Sequence, residues 1–598
     1  MIDTLIRRLS EPRYQALLLL AAVALVYGHT LDVPWYFDDI GSITDNPAIR
    51  DLGDPGLIWS YSAMRFVGYL SFAINYQLGG LEPAGFHLFN IGVHLATGLV
   101  IYGLMVSLMR TPVMSGQPRE FDSQMLAFCV ALLFLVHPLN TQAVTYVVQR
   151  LASMSALFYL STMWLYVLAR METNRRRSVL WVLSALATGL FAVFTKQSAY
   201  TLPISLLLLE YTFFVTNSLQ LKRFLSVAAT LAVLAIGVGA LIVILDIVPW
   251  QAVGVLSRDA GMILRDQYFA AQMLVIWRYV ALFFWPLPQV LDYGITPEWA
   301  LGDPMVLAAA TAHLIALSVG VWLLRIRPLI GFCILFYYIG LSVESSFIPI
   351  RDLMVEHRTY LSNFALAVLT VYLLMKHLSS RSAGILVTVC VLMLGILTWQ
   401  RNELWRDPLE FYGHATVYAP DQPRNWYSLS RAHYLSGDAK SALTVLSTEL
   451  HANEVRNDGN MKIDRNIYVY WAQLLRANGQ DKRAQVVEDY LEATRSPSEV
   501  ANVGLLLSRG NSHLRSGELD EAEAAYLEIL ELQPNQQSAK ANLGVVAMMR
   551  KDYQAAIDIF SEIPDHPVSQ ANLPVAKSAL AGDAEVTGLA EKVLEKSQ

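Results

Sequence analysis

Long apolar stretches separated by short polar loops fill the chain up to about Gln400, where the sequence becomes polar and charged. A membrane-spanning helix needs about 20 mostly apolar residues. The pattern therefore predicts eleven spans, near residues 14–31, 84–109, 122–137, 142–169, 178–195, 198–217, 224–245, 303–324, 328–345, 360–376 and 383–400. The change at Gln400 predicts two domains, a multispan membrane domain over residues 1–400 and a polar domain over residues 401–598.

Basic residues orient these spans, because lysine and arginine concentrate in cytoplasmic loops. Alternating crossings place the following residues inside: Arg7, Arg8, Arg13, Arg110, Arg119, Arg170, Arg175, Arg176, Arg177, Lys222 and Arg223. Arg325 and Lys376 also fall inside if a further apolar segment at 267–287 does not cross. We therefore predict a re-entrant or interfacial segment there. The alternative is a full crossing at 267–287 with one neighbouring span miscounted.

The first apolar run, from Tyr14 to Tyr27, is either a retained span or a cleavable signal peptide. No small-x-small cleavage site follows it, which favours a retained span. With the N-terminus inside, eleven crossings place the whole polar domain on the non-cytoplasmic side of the membrane. The polar loops richest in unusual residues fall on that same side.

A repeat of 34 residues is visible in the polar domain. Three pairs of residues keep this spacing: Gly510 with Gly544, Ala522 with Ala556, and Tyr526 with Phe560. Gly510, Gly517, Ala522, Tyr526 and Pro534 fall on the small, glycine, small, aromatic and proline positions of a tetratricopeptide repeat. Weaker units surround Trp426 and Trp471. About four units predict an α-solenoid whose concave face binds peptide or protein, the alternative being a structural cap or dimerisation surface. The predicted fold class is all-α, a polytopic membrane helix bundle followed by this solenoid.

Composition excludes several function classes. The chain is 16% charged with a net charge of -6 and has no basic patch, so nothing indicates a nucleic-acid-binding protein. Cys129, Cys333 and Cys390 all lie in apolar runs, which predicts buried thiols and no disulfide framework. No GxxxxGK[ST] loop is present, so an enzyme here would use a substrate delivered in the membrane rather than a nucleotide.

The adjacent carboxylates of Asp38 and Asp39 follow the first span. They could bind a divalent cation, Mg²⁺ or Mn²⁺. One could instead act as a general base, with mutual repulsion raising a pKa. A solvated turn is the third interpretation, since Gly41, Asp45 and Pro47 follow.

Basic and polar residues at the same membrane face are candidates for binding an anionic substrate, because charge near a membrane is costly. They are Arg65, His137, Lys196, Arg351, Glu356, His357 and Arg358. Arginine suits bidentate phosphate binding, and a lipid phosphate is the anion most available there. The structural alternatives are a loop arginine for Arg65, a packed turn for His137, a snorkelling lysine for Lys196, and interfacial anchoring for the segment 344–360.

Five stretches of this sequence resemble a known family: Phe37–Asp39, Leu70–Asn90, His137–Val144, Lys196–Ala199 and Glu356–Leu361. Together with the repeats they are similar to the transmembrane and tetratricopeptide-repeat protein O-mannosyltransferases and their bacterial relatives. These are integral-membrane glycosyltransferases of the GT-C type that use polyprenyl-phosphate sugars. The chain departs from the family at Asn140-Thr141-Gln142, where His-Thr-Glu is usual, at Phe66, where proline is usual, and at Gln149, where glycine is usual.

The resemblance implies inverting transfer of a sugar from a polyprenyl phosphate to a protein hydroxyl, with Asp38 and Asp39 as the catalytic pair. It also implies that Lys196, His357 and Arg358 hold the departing phosphate, and the chemistry of Arg351 suggests the same role. The repeats would recruit the protein acceptor. A lipid or polysaccharide acceptor is one alternative, and a membrane-anchored scaffold for envelope assembly is another. We expect a bacterial inner membrane, with the repeats in the periplasm.

Overall fold

The computed structural model describes residues 11–118, 121–230, 263–295, 299–350, 352–456, 465–493, 503–515, 517–532, 536–564 and 566–581. These residues form helices and turns without a strand, which confirms the predicted all-α class. They fall into two compact units that divide between residues 462 and 463. The boundary predicted at residue 400 marks a change of composition, and the first compact unit extends beyond it.

The helices of the first 404 residues correspond closely to the apolar stretches. They are α1 (Pro12–Tyr27), α2 (Pro55–Ser62), α3 (Phe66–Gly79), α4 (Pro83–Leu108), α5 (Pro112–Ser115), α6 (Ser123–Leu135), α7 (Thr141–Val144), α8 (Arg150–Met171), α9 (Arg175–Val193), α10 (Leu202–Phe214), α11 (Arg265–Phe284), α12 (Pro304–Ile326), α13 (Pro328–Leu341), α14 (Tyr360–His377) and α15 (Ser380–Leu404). Residues 218–230 are also helical. Most of the span predicted at 224–245 lies outside the described residues.

Six of the described helices are long and apolar enough to cross a membrane: α4, α8 with its preceding turn, α9, α12, α14 with its preceding turn, and α15. The pair formed by α6 and the segment Pro138–Val144, bent by 58°, would make a seventh. The polytopic membrane architecture is thereby confirmed. The total of eleven crossings stays a prediction, as does the non-crossing of 267–287, where the structure has α11.

Proline and small polar residues set the helix starts. Proline occupies the first turn of α1, α4, α12 and α13, where its missing N–H costs nothing. Side-chain oxygens of Asp122, Asn174 and Ser379 accept backbone N–H groups at the starts of α6, α9 and α15. These local signals explain why helix boundaries follow the loops in the sequence.

The two largest of the described apolar cores lie in the first unit. One fills the space between the membrane helices, where Ile101, Phe134 and Phe364 are fully buried. The other packs the loop that follows α1 against the start of the polar region, through Tyr36, Trp405 and Phe411. This second core fixes the backbone that carries Asp38 and Asp39.

The polar region consists of helical hairpins. Its helices are α16 (Pro408–Tyr418), α17 (Pro423–Leu435), α18 (Ala439–Arg456), α19 (Arg465–Ala477), α20 (Asp481–Ala493), α21 (Val503–Arg515), α22 (Leu519–Leu532), α23 (Gln537–Met549), α24 (Tyr553–Glu562) and α25 (Pro567–Leu580). Helices α16 to α18 belong to the first compact unit. A Cβ atom on Gly510 would lie 2.5 Å from the ring of Tyr526, so the repeat needs glycine where its aromatic residue packs.

Candidate functional site

The turn Phe37-Asp38-Asp39 is held in a strained conformation. Phe37 has φ of 40°, in the left-handed region that β-carbon-bearing residues rarely adopt. The backbone N–H of Asp38 donates to the hydroxyl of Tyr146 at 2.8 Å. Tyr36, just before the turn, donates its hydroxyl to the carbonyl of Trp405 at 2.6 Å. Such strain persists only where surrounding contacts fix it, and it is frequent at functional sites.

The two carboxylates of this turn have different environments. Asp39 is 1% exposed, and its two oxygens accept the backbone N–H groups of Tyr36 at 3.1 Å and Val148 at 2.7 Å. Burial raises the pKa of Asp39 to about 8 against the opposing effect of these hydrogen bonds, while the charge of Asp38 makes a smaller contribution. Mutual repulsion, which the sequence suggested as the cause of a raised pKa, is therefore secondary to burial.

Asp38 presents its carboxylate to an open face, with 55% of its side chain exposed. Within the described part of the chain, the cation nearest to it is Arg424 of α17, at 3.5 Å between Nη2 and Oδ1. The geometry thus separates the predicted pair: Asp38 can reach a substrate, whereas Asp39 binds backbone and fixes the turn.

A cluster of positive groups lies around Lys196, which follows α9. Its ammonium forms an ion pair with Glu344 at 2.8 Å, and both side chains are largely buried. Burial lowers the pKa of Lys196, and nearby Arg358 and Arg65 lower it further, against the effect of Glu344. Glu344 also interacts electrostatically with Arg358 and Arg65.

The structure thus brings together predicted residues from three distant loops. With Lys196, Arg65 and Arg358 charged, the cluster carries three positive charges, and Glu344 supplies one negative charge. This excess of positive charge suits a departing phosphate monoester, which carries about -1.5 to -2 at pH 7.

Hydrogen bonds from three side chains of α11 hold the loop between α13 and α14 in place. Tyr268 donates its hydroxyl to the carbonyl of Glu344 at 2.6 Å, and Gln272 donates to the carbonyl of Leu353 at 2.8 Å. Tyr279 exchanges hydrogen bonds with both backbone groups of Val355, at 2.9 and 3.0 Å. The segment at 267–287 therefore has a structural role at the site, whatever its position in the membrane.

Asp352 connects the acidic and basic groups. Its carboxylate lies 3.7 Å from Arg424, which also faces Asp38. Its backbone carbonyl accepts from Arg358 at 2.6 Å. A continuous series of charged residues therefore runs from Asp38 through Arg424, Asp352, Arg358 and Glu344 to Lys196.

His357 and Glu356 lie in the same loop but make different contacts. The backbone N–H and the Nδ1 of His357 both lie within 3.0 Å of the Oε1 of Gln142, so Nδ1 carries the proton and Nε2 is left as an acceptor. Glu356 is fully buried and accepts from Gln289 at 2.8 Å and Tyr293 at 2.7 Å. His357 lies near enough to Lys196, Arg358 and Arg65 to interact electrostatically with them, whereas Glu356 holds the loop together.

His137 and Arg351 are the remaining candidates for substrate binding. His137 is buried, its Nε2 lies 2.8 Å from the carbonyl of Phe283, and its Nδ1 accepts from the backbone N–H of Leu139 at 3.2 Å. This geometry favours the packed-turn interpretation over substrate binding. Arg351 lies outside the described residues, so its predicted role stays a prediction.

The described residues also bear on the predicted divalent cation. Among them, no group of three or more His, Cys, Asp or Glu side chains is arranged to hold a metal ion. Both oxygens of Asp39 already accept backbone N–H groups, and Asp38 faces a guanidinium. This arrangement does not fit a cation shared by the two carboxylates.

Sequence reasoning missed Arg424 and Asp292. Arg424 lies in the polar region, far along the chain from every motif at the membrane face, and Asp292 follows α11 in a loop without a recognisable pattern. Only the packing of α17 over the turn at Asp38 reveals them. Glu344 was visible as part of a charged segment, but its pairing with Lys196 has no signal in the sequence.

Comparison with known proteins adds a second line of evidence. A family model described as tetratricopeptide repeat matches residues 507–569. The chain is 21% identical to the mouse protein O-mannosyl-transferase TMTC3 over 90% of its own length and 65% of that protein, and 24% identical to a Caenorhabditis elegans protein O-mannosyl-transferase over 71% and 61%. It is 29% identical to human protein O-mannosyl-transferase TMTC4 over 32% and 28%.

These transferases are homologues of this chain. The resemblance to the transmembrane and tetratricopeptide-repeat O-mannosyltransferases is thereby confirmed. The chain spans between 28% and 65% of the length of the three relatives named above. Those relatives are animal proteins, so the expected bacterial origin finds no support in them.

Proposed function

We propose that this protein is a membrane glycosyltransferase that moves a sugar from a polyprenyl phosphate to a hydroxyl group of a protein. The observation that carries the proposal is the continuous series of charged residues between Asp38 and Lys196. It supplies an accessible carboxylate at one end and a positively charged phosphate-binding cluster at the other. The homologues are named as protein O-mannosyl-transferases, which supports the reaction class and the protein acceptor.

At the basic end, Lys196, Arg65 and Arg358 bind the phosphate of the donor. Negative charge grows on the phosphate oxygen as its bond to the sugar breaks, and fixed positive groups stabilise charge that develops in the transition state. Glu344 keeps Lys196 oriented before the donor arrives. The Nε2 of His357 accepts a hydrogen bond from a donor hydroxyl.

At the acidic end, Asp38 acts as the general base. Its carboxylate takes the proton of the acceptor hydroxyl while the hydroxyl oxygen forms a bond to the anomeric carbon of the sugar. The bond between that carbon and the phosphate oxygen of the donor breaks at the same time. One displacement without an enzyme-bound sugar inverts the anomeric centre. A carboxylate beside a carbon with oxocarbenium character also stabilises it electrostatically. Asp39 contributes by holding the turn.

The tetratricopeptide repeats recruit the acceptor. Stacked helical hairpins provide extended surfaces that commonly bind peptides. The distribution of lysine and arginine supports a non-cytoplasmic location for both the repeats and the site. A lipid or polysaccharide acceptor would use the same groups with no need for the repeats.

The test is a transfer assay with the full-length protein in lipid nanodiscs, supplied with polyprenyl-phosphate mannose, other polyprenyl-phosphate sugars and a mixture of unfolded and folded acceptor proteins. Mass spectrometry of proteins and lipids identifies the product. We expect sugar on serine or threonine from wild type and at least about 10²-fold slower transfer from Asp38→Asn. Asp45→Asn is the matched control, since Asp45 is an exposed carboxylate in the same loop.

Two results would contradict the proposal. Transfer of sugar only to lipid would replace the protein acceptor by a lipid one. An absence of transfer by wild type with every donor, together with function of Asp38→Asn equal to wild type in the host cell, would favour a membrane-anchored scaffold.

A further inference from the structure

Arg424 is the second residue of α17, in the first helical hairpin of the polar region, and it reaches the turn that carries Asp38. Its guanidinium lies 3.5 Å from Asp38, 3.7 Å from Asp352 and 3.9 Å from Asp292. The three carboxylates come from three different loops at the membrane face. A cation in the first turn of a helix is disfavoured by the helix dipole. Its position is therefore explained by these carboxylates and not by the stability of α17.

Contact with Phe37 adds a second constraint. The guanidinium carbon of Arg424 lies 4.3 Å from the centre of the Phe37 ring. A cation over an aromatic face is attracted by the ring quadrupole. Because Phe37 has the strained backbone next to Asp38, this contact fixes the residue whose conformation aims the carboxylate.

The three ion-pair distances exceed those of hydrogen bonds. N–H···O hydrogen bonds join heavy atoms at about 2.7–3.2 Å. Arg424 is thus shared among three carboxylates and forms a short, bidentate contact with none of them. A bidentate pair would occupy both oxygens of Asp38, whereas a shared guanidinium attracts the carboxylate and leaves its oxygens open to an acceptor hydroxyl.

We propose that Arg424 is a positioning residue for Asp38: its guanidinium, held between Asp292 and Asp352 and stacked on Phe37, fixes the orientation of the Asp38 carboxylate without blocking it. The inference rests on the proposed function and adds to it a residue from outside the membrane domain. The first hairpin of the polar region is then part of the transfer site, in addition to any acceptor binding by the repeats.

This role changes how a truncation is interpreted. Removing the chain after residue 400 takes away Arg424 together with Trp405 and Phe411, which pack against the turn. Loss of activity in such a truncation would reflect a damaged site, whatever the acceptor is. Point substitutions of Arg424 separate the two effects.

The experiment compares wild type, Arg424→Gln and Arg424→Lys as full-length proteins in nanodiscs, with kcat and the KM of each substrate measured. The control is Arg406→Gln, because Arg406 is an exposed arginine at the same face that pairs with Asp32 and Glu403. We expect Arg424→Gln to lower kcat roughly 10- to 100-fold, the effect of misplacing a reacting group by about 1 Å. Donor KM should be unchanged, since Lys196 and Arg65 are untouched. Arg424→Lys keeps the charge and should recover a large part of kcat.

Each outcome has a distinct meaning. If wild type transfers sugar and Arg424→Gln has the same kcat as wild type, the positioning role is overturned and the proposed function still stands. A fall in the unfolding temperature of both Arg424 variants, with kcat and donor KM worsening together, indicates a purely structural contact and also overturns it. No transfer by wild type overturns the proposed function and this inference with it.

Discussion

The carboxylate of Asp39 accepts the backbone N–H of Val148 at 2.7 Å, which joins the loop after α1 to the segment just before α8. Both partners are buried. The adjacent Asp38 makes its backbone contact to the same segment, through the hydroxyl of Tyr146. One aspartate of the pair thus fixes the turn, and the other is left with an accessible carboxylate.

Substitution of the two aspartates should therefore have different consequences. Asp38→Asn removes the general base and should lower kcat about 10²- to 10⁴-fold with an unchanged unfolding temperature. Asp39→Asn turns an amide NH₂ towards a backbone N–H donor. Leaving such a buried donor unpaired should cost about 1–3 kcal/mol of stability. Thermal unfolding in detergent and kinetics on the same preparations measure both effects, and equal destabilisation by the two substitutions would contradict the assignment.

The raised pKa of Asp39 gives the stability a pH dependence. Below its unfolded value of 3.8 the carboxyl is protonated in both states, and above about 8 it is ionised in both. Between these values the unfolded chain loses the proton first, so ionisation favours unfolding and stability falls as pH rises. The unfolding temperature of wild type, taken relative to Asp39→Asn at each pH, should decrease from pH 4 to 8 and then level off. A difference that is constant across this window would contradict the buried, protonated carboxyl.

The membrane helices could be predicted because a span needs a fixed length of apolar sequence. The helix α4, at Pro83–Leu108, differs from its predicted limits by a single residue at each end, and α12 is nearly as close. The basic loops also predict that the polar motifs lie on one face of the membrane. Both rules act locally along the chain, so neither requires knowledge of which loops meet.

The contacts between loops could not be predicted in the same way. Nothing in the sequence distinguishes Asp38 from Asp39, because the difference arises from burial against the Val148 segment. Arg424 approaches Asp38 only after α17 packs on the loop. The family resemblance identified Lys196 and Arg358 but gave no reason to pair Lys196 with Glu344.

Glycine at the turn inside a repeat hairpin should stabilise that hairpin, because the backbone there has a positive φ. Gly437, Gly479 and Gly517 have φ of 89°, 70° and 76° at this turn, and Lys551 has φ of 62° at the corresponding position of the last hairpin. A residue with a β-carbon pays about 1–2 kcal/mol in this conformation. We expect Lys551→Gly to stabilise the α23–α24 hairpin and Gly517→Ala to destabilise α21–α22, each by about 1 kcal/mol. Hydrogen exchange of the hairpin amides in the full-length protein measures both, and slower exchange in Gly517→Ala would refute the account.

The ion pair of Lys196 and Glu344 allows its structural and functional roles to be separated. Removing one member of a buried pair leaves an uncompensated charge and costs about 3–5 kcal/mol. Lys196→Gln should therefore destabilise the protein and weaken donor binding together. The double substitution Lys196→Gln with Glu344→Gln removes both charges, and it should restore stability.

Donor binding should not recover in the double variant, although the net charge of the cluster is the same as in wild type, because in the proposed mechanism the ammonium of Lys196 itself binds the leaving phosphate. The measurements are the unfolding temperature and the KM for the polyprenyl-phosphate sugar. The matched control is the exposed pair of Lys540 and Glu562, whose double substitution to glutamine should change neither quantity. If the Lys196 and Glu344 double variant recovers the donor KM along with its stability, Lys196 only supports the loop. The phosphate is then held by Arg65 and Arg358 alone.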